Sequence, residues 1–149
     1  MNAEDKDSLN IKIIALPKKV EHIGIAVERI DEAKKVFDLI LNKPAYKVEE
    51  VESEKVKTAF YTCGETKIEL LESTDESGPI AGFLKKRGAG MHHIALEVDD
   101  IEATMKRLET AGIRLLNDKP KDGADNKRIC FLHPKDTNGV LIELCQEKK

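Results

Sequence analysis

Apolar positions recur along this chain with two periods that alternate in a fixed order. VEHIGIAV (20–27) alternates β-branched residues with polar or small ones, the period-two pattern of a strand. RIDEAKKVFDLILN (29–42) then sets Ile30, Ala33, Val36, Phe37, Ile40 and Leu41 at helical spacing, and Asn42 and Pro44 end the run. YKVEEVE, VKTAFYTC and TKIELLE read as three more strands separated by the turns SEK and GET. SGPIAGFLKKRG (77–88) reads as a short linker helix, with Pro79 near its start and Gly88 at its end. The pattern then restarts. MHHIALEV is a strand, and DDIEATMKRLETAG is a helix carrying Ile101, Met105 and Leu108 and ending at Gly112. IRLLN, KRICFLH and GVLIELCQ are three further strands.

The predicted order is β-α-β-β-β, linker, β-α-β-β-β, an α+β chain. Residues 20–146 read as a single domain of two modules, 20–73 and 91–146, joined by the linker helix 77–88. Residues 1–19 read as a flexible N-terminal arm with an added strand at IKIIAL. The restart is also visible in the letters. With His22 set against His93, a spacing of 71, HIGIAVERID lies over HIALEVDDIE, and Ala59-Phe60 over Cys130-Phe131. Three extra residues in a turn bring KIEL (67–70) over LIEL (141–144). Two paired βαβββ modules from an internal duplication account for this.

Composition narrows the functional classes. The chain has 149 residues, 40 % hydrophobic and 36 % charged, with a net charge of −3. No basic excess argues for nucleic acid, and no apolar run is long enough for a membrane span. MNAEDKDSLN lacks both a signal core and an Arg-rich amphipathic pattern. Cys63, Cys130 and Cys145 form no Cys-x-x-Cys pair, so they read as buried free thiols of a protein in a reducing, cytoplasmic compartment.

The duplication selects the candidate chemistry. His93, not His92, is the partner of His22. Strand alternation sends His92 and His93 to opposite faces, leaving His92, like His133, a structural or surface role. His22 shares its face with Gly24 and Ala26, and His93 shares its face with Ala95; small residues suit a cavity lining. Glu69 and Glu143 each point away from the apolar side of their strand. Glu72 and Glu97 read as surface charges, and the basic run 85–87 as a solvated helix end. If the two modules pack about a pseudo-twofold axis, His22, Glu69, His93 and Glu143 converge on one point. Two imidazoles and two carboxylates suit one divalent metal ion, with Co, Mn, Ni or Zn preferred over Mg.

With these residues in view, the sequence resembles the vicinal oxygen chelate (glyoxalase/bleomycin resistance/dioxygenase) superfamily, and within it the methylmalonyl-CoA epimerase family. VEHIGIAV, GPIAGFL (78–84), GMHHIALEVDDI, GIRLL and above all FLHPKDTNGVLIEL (131–144) carry the resemblance. It implies a cupped half-barrel sheet, a homodimer, an acyl-CoA substrate and a metal held by His22, Glu69, His93 and Glu143. The implied chemistry is proton abstraction at C2 of methylmalonyl-CoA through a metal-stabilised enolate, with a base on one face and an acid on the other. Some epimerases place a catalytic Glu on the third strand; this chain has Thr58 there, so Glu143 and Glu69 become the expected proton-transfer pair. Arg128 and Lys135 are expected to contact the CoA phosphates. A glyoxalase acting on a glutathione adduct is the alternative, and the HPKD…GVLIEL stretch argues against it. A ring-cleaving dioxygenase would need one carboxylate fewer, and a drug-sequestering protein would need no ligand set.

Overall fold

The computed structural model describes residues 16–149; most of the expected arm, with all but the last residue of IKIIAL, lies outside the described residues. The strands are β1 (Lys19–Ala26), β2 (Lys47–Val51), β3 (Val56–Cys63), β4 (Thr66–Ser73), β5 (Gly90–Glu97), β6 (Lys121–Asp122), β7 (Lys127–Phe131) and β8 (Ile142–Glu147). The helices are α1 (Ile30–Leu41) between β1 and β2, α2 (Pro79–Arg87) between β4 and β5, and α3 (Ile101–Thr110) between β5 and β6.

All eight strands join one mixed sheet in the order β2-β3-β4-β1-β5-β8-β7-β6. The two modules therefore meet along β1 and β5, which pair antiparallel, while each runs parallel to the last strand of its own module. The registers repeat with the sequence. Gly24 lies opposite Glu69 as Ala95 lies opposite Glu143, and Phe60 opposite Glu69 as Phe131 opposite Glu143. The duplication is written in the hydrogen bonding as well as in the letters.

One face of the sheet carries α1 and α3. Ile30, Ala33, Phe37 and Leu41 of α1 pack on Ala59, Tyr61, Ile68 and Leu70, and Ile101, Met105 and Leu108 of α3 pack on Cys130, Leu132 and Leu144. The strands also fix where each helix begins. The Ile30 N–H donates to Glu72 Oε1 (2.7 Å), and at the equivalent place the Ile101 N–H donates to Gln146 Oε1 (3.0 Å). Glu72 thus satisfies an orphan helix donor rather than serving as a plain surface charge. On the opposite face, α2 lays Ile80, Phe83 and Leu84 against Ala26, Val56 and Leu71.

The sheet curls into a half-barrel until its two edges touch. Lys121 of β6 pairs with Glu54 just after β2 (2.8 Å), and Asp125, in the β6–β7 loop, accepts hydrogen bonds from Lys47 (2.9 Å), Lys67 (2.6 Å) and the Tyr46 hydroxyl (3.2 Å).

Three expectations are corrected. Val36 and Ile40 are 54 % and 67 % exposed, so the inward stripe of α1 is narrower than its periodicity suggested. The IRLLN strand makes only an isolated bridge, Leu115 to Leu132. Asn117 replaces the next backbone pairings, accepting from the Phe131 N–H (3.1 Å) and donating to the Ile129 carbonyl (3.3 Å), and Pro120, without an N–H, delays the ladder to Lys121. Of the three free thiols Cys130 and Cys145 are buried, but Cys63 is exposed at the end of β3.

The edge closure has a pH signature. Burial alone would raise the Asp125 carboxyl, but hydrogen bonds from Lys67 and Lys47 hold it well below the usual carboxylate range. A depressed carboxylate contributes stability above its unfolded pKa of about 4, and that contribution is lost as pH falls through the folded value. Asp125→Asn, which keeps a residue tolerant of the local φ of 56°, is therefore expected to lower the melting temperature at pH 7. The deficit should shrink progressively below pH ~4, as calorimetry at pH 7 and pH 3 would show.

Candidate functional site

Strict alternation along β1 and β5 would send neighbouring side chains to opposite faces, and both strands break it next to the key histidines. In the β1–β5 ladder Val20 faces Leu96 and His22 faces Ala95, which leaves Glu21 as an extra residue; Gly24 faces His93 and Ile25 faces Met91, which leaves His92 as another. The two bulges fall at equivalent points, since Glu21 and His92 each precede an aligned histidine. A bulge re-aims the side chains around it. His92 and His93 therefore do not oppose each other: their Nδ1 atoms are 2.9 Å apart, and both line one cavity. Glu21, 2 % exposed, likewise turns onto His22, with Oε1 3.2 Å from Nδ1. Sequence reading missed both residues. The signal that could have found them is their shared position, one before each ligand-type histidine.

His22, Glu69, His93 and Glu143 are each buried to within 5 % exposure, and they meet at the floor of a cavity of about 260 Å³. His22 Nε2 lies 3.0 Å from His93 Nε2 and 3.3 Å from Glu143 Oε2; His93 Nε2 lies 3.6 Å from Glu143 Oε1. Glu69 Oε2 approaches the other side of the His22 ring, 3.1 Å from Nδ1. Three of the four thus converge on one point, and Glu69 stands across the imidazole from it. Gly24 makes the convergence possible. A Cβ there would overlap the His93 ring, so the room expected from small residues is taken by the facing histidine.

These residues fit a divalent metal ion. Separations of 3.0–3.6 Å are those of adjacent ligands, since bonds of about 2.1 Å give roughly 3.0 Å in an octahedron and 3.4 Å in a tetrahedron. Among the described residues Glu143 Oε2 is buried without a hydrogen-bond partner, a costly state that a cation relieves. Imidazole with carboxylate suits first-row ions. His22, His93 and Glu143 could hold the ion directly.

Electrostatics set the protons. Burial pushes Glu69 and Glu143 up to about 7. Burial would lower His22, but the carboxylates of Glu69 and Glu143 outweigh it and raise the ring to about 9. His93 is held well below its ordinary value by burial and by the neighbouring His22 and His92 rings.

The rest of the cavity is mostly apolar, with Leu71, Ile80, Ile129 and Phe131 in its wall. Thr58 lines it too, 1 % exposed, with a hydroxyl that has no partner among the described residues. Neither expected phosphate contact borders it. Arg128 lies on the helix-covered face of β7, beside Cys130, and pairs with Glu102 of α3, while Lys135 is exposed on the turn Pro134–Asp136.

The chain matches the family model described as the glyoxalase/bleomycin resistance protein/dioxygenase superfamily over residues 21–131. It is 43 % identical over 130 residues to the ethylmalonyl-CoA/methylmalonyl-CoA epimerase of Cereibacter sphaeroides, spanning 86 % of this chain and 97 % of that one. A crystal structure of methylmalonyl-CoA epimerase from Mycobacterium tuberculosis superposes with a TM-score of 0.86 at 35 % identity, covering 91 % of each chain. A variant of the Streptomyces coelicolor methylmalonyl-CoA epimerase in complex with 2-nitronate-propionyl-CoA superposes with a TM-score of 0.84 at 31 % identity, covering 90 % of this chain and all of that one.

The role of Gly24 is testable apart from catalysis. Gly24→Ala is expected to displace the His93 ring and weaken Co(II) binding by roughly 10- to 100-fold, as misoriented metal ligands do. Titration calorimetry measures this, and an unchanged affinity would show that His93 does not need the space.

Proposed function

The chain belongs to the glyoxalase/bleomycin resistance protein/dioxygenase superfamily, and we propose that within it the protein is a methylmalonyl-CoA epimerase, an isomerase acting on a CoA thioester. The observation that carries this reading is the pair of buried carboxylates, Glu69 and Glu143, on opposite sides of His22 at the floor of one cavity. The kinship to epimerases over most of the chain supports the substrate.

C2 of methylmalonyl-CoA lies between a thioester carbonyl and a carboxylate, so losing its proton gives a planar enolate. Inversion requires a proton to leave one face and another to arrive on the opposite face. In each turnover one glutamate is a carboxylate and the other carries a proton. The carboxylate takes the C2 proton as that C–H bond breaks, and the protonated partner delivers its own proton to the far face. The two glutamates have then exchanged states, which prepares the reverse direction. Thr58, at the position where some epimerases carry a Glu, has no ionisable group to join this exchange. His22, His93 and Glu143 would hold a divalent ion, with Glu69 across the His22 ring from it, and Co, Mn, Ni and Zn suit the donors. Bound there, the ion supplies Lewis-acid stabilisation for the charge that develops on the thioester oxygen. Glu21 and His92 hold the two imidazoles in orientation through their Nδ1 atoms.

A homodimer and a cytoplasmic setting complete the proposal. Val36, Leu39 and Ile40 of α1 are exposed and provide apolar surface for a second copy, and unpaired thiols suit a reducing compartment. No helix among the described residues is long and apolar enough to cross a membrane.

In deuterated water the protein is expected to exchange the C2 proton of methylmalonyl-CoA with inversion. Chelation should abolish the exchange, and added Co(II) should restore it. Glu143→Gln and Glu69→Gln are each expected to cost roughly 10²- to 10⁴-fold in kcat while the circular dichroism spectrum is retained. Full exchange and turnover by Glu69→Gln would remove Glu69 from the proton-transfer pair.

A further inference from the structure

The cavity over the glutamates does not end at its own rim. A second cavity of about 370 Å³ adjoins it, and Pro79, His92, Leu116 and Leu141 line both, so the two meet at these residues along one line from the glutamates to the surface. The helix α2 runs along this line. Pro79 and Ile80 border the inner cavity, Phe83 lines the outer one, and Lys86 and Arg87 lie at the far end of the helix. At 1.5 Å per residue, Pro79 and Arg87 stand roughly 12 Å apart along the axis.

The outer wall has two chemical characters. Phe83, Pro134 and the 52 % exposed Leu116 make it apolar. Lys86 and Arg87 make its end cationic, and among the described residues no Asp or Glu lines it. The cations are also uncommitted. Among the described residues neither has a carboxylate within ion-pair distance, whereas Arg128, Arg114 and Lys121 are each paired, with Glu102, Asp136 and Glu54. The Arg87 guanidinium lies over the Phe83 ring, 5.8 Å from its centroid, and both line the outer cavity.

We propose that this outer cavity is the binding site for the pantetheine arm of a CoA thioester, with Lys86 and Arg87 receiving its phosphates. The inference rests on the reading of the inner cavity as an acyl-CoA site and assigns the phosphate subsite to residues that the basic-run pattern alone left as a solvated helix end. Length agrees: a pantetheine arm, with two amide units, has the reach of about four extended residues, roughly 14 Å. Charge agrees as well, because the diphosphate and ribose phosphate need cations that no protein carboxylate already holds. The thioester would then lie beside His92, where the two cavities join.

The test compares two thioesters that differ only beyond the arm: methylmalonyl-CoA and methylmalonyl-pantetheine, which lacks the phosphates. The double variant K86Q/R87Q is expected to raise KM for the CoA thioester by roughly 10- to 100-fold, with kcat within about twofold and no corresponding loss with the pantetheine thioester. Arg128→Gln and Lys135→Gln should behave as the unaltered protein does. An equal loss on both thioesters, or none on either, would overturn the assignment. Free coenzyme A, titrated by calorimetry, separates this result from the reaction itself. If the unaltered protein turns over neither thioester, the epimerase reading fails; weaker coenzyme A binding by K86Q/R87Q still supports the subsite, and unchanged binding overturns it.

Discussion

The antiparallel pairing of β1 with β5 is the contact on which everything else depends. It is the seam between two modules that each carry one imidazole and one carboxylate, and its register sets His22 against Ala95 and His93 against Gly24. A slip of one residue would turn each strand's cavity side toward the helices. The bulges at Glu21 and His92 pin the register from both strands, since each extra residue can be accommodated at one point only. Their local cost is offset by what they aim: a buried carboxylate and a half-buried imidazole, each against the Nδ1 of a neighbouring histidine.

The floor of the cavity is electrostatically demanding. Glu21, His22, Glu69, His93 and Glu143 are all almost fully buried, in surroundings where an unpaired charge costs several kcal/mol. Lys67 offsets part of this from the module's own β4, approaching Glu21 at 3.5 Å while also holding Asp125 of the other module. The same lysine therefore links the site's charge balance to the closure of the sheet edges. The excess of acidic groups at the floor is what makes a bound cation, or an added proton on His22, electrostatically favourable there.

Much of this was legible in the letters, because duplication is a redundant signal. One strand with a histidine and one with a glutamate say little singly, but His22 with Glu69 and His93 with Glu143 say it twice and fix which histidine of the pair 92–93 is the partner. What escaped was whatever departs from a strict period. Alternation cannot reveal a bulge, so Glu21 was passed over and His92 was sent to the wrong face. The IRLLN strand was broken by a side chain, Asn117, imitating a backbone group. The placement of Arg128 and Lys135 was not legible either: both sit within well-matched stretches, but the face a cation occupies is a tertiary property, and Arg128 pairs with Glu102 of α3.

The seam has a consequence for what half of this chain would be. A polypeptide with one module alone would expose β1 or β5 as a bare edge, its hydrogen-bonding groups open to any strand that fits. It would also carry only half of the His22–His93–Glu143 cluster, which draws on both modules. Two such polypeptides aligned along that edge would rebuild the eight-stranded surface and complete the ligand set in a single association. Joining them through α2 makes that encounter permanent and independent of concentration, and it frees the halves to diverge: an acid beside one histidine, a second imidazole beside the other.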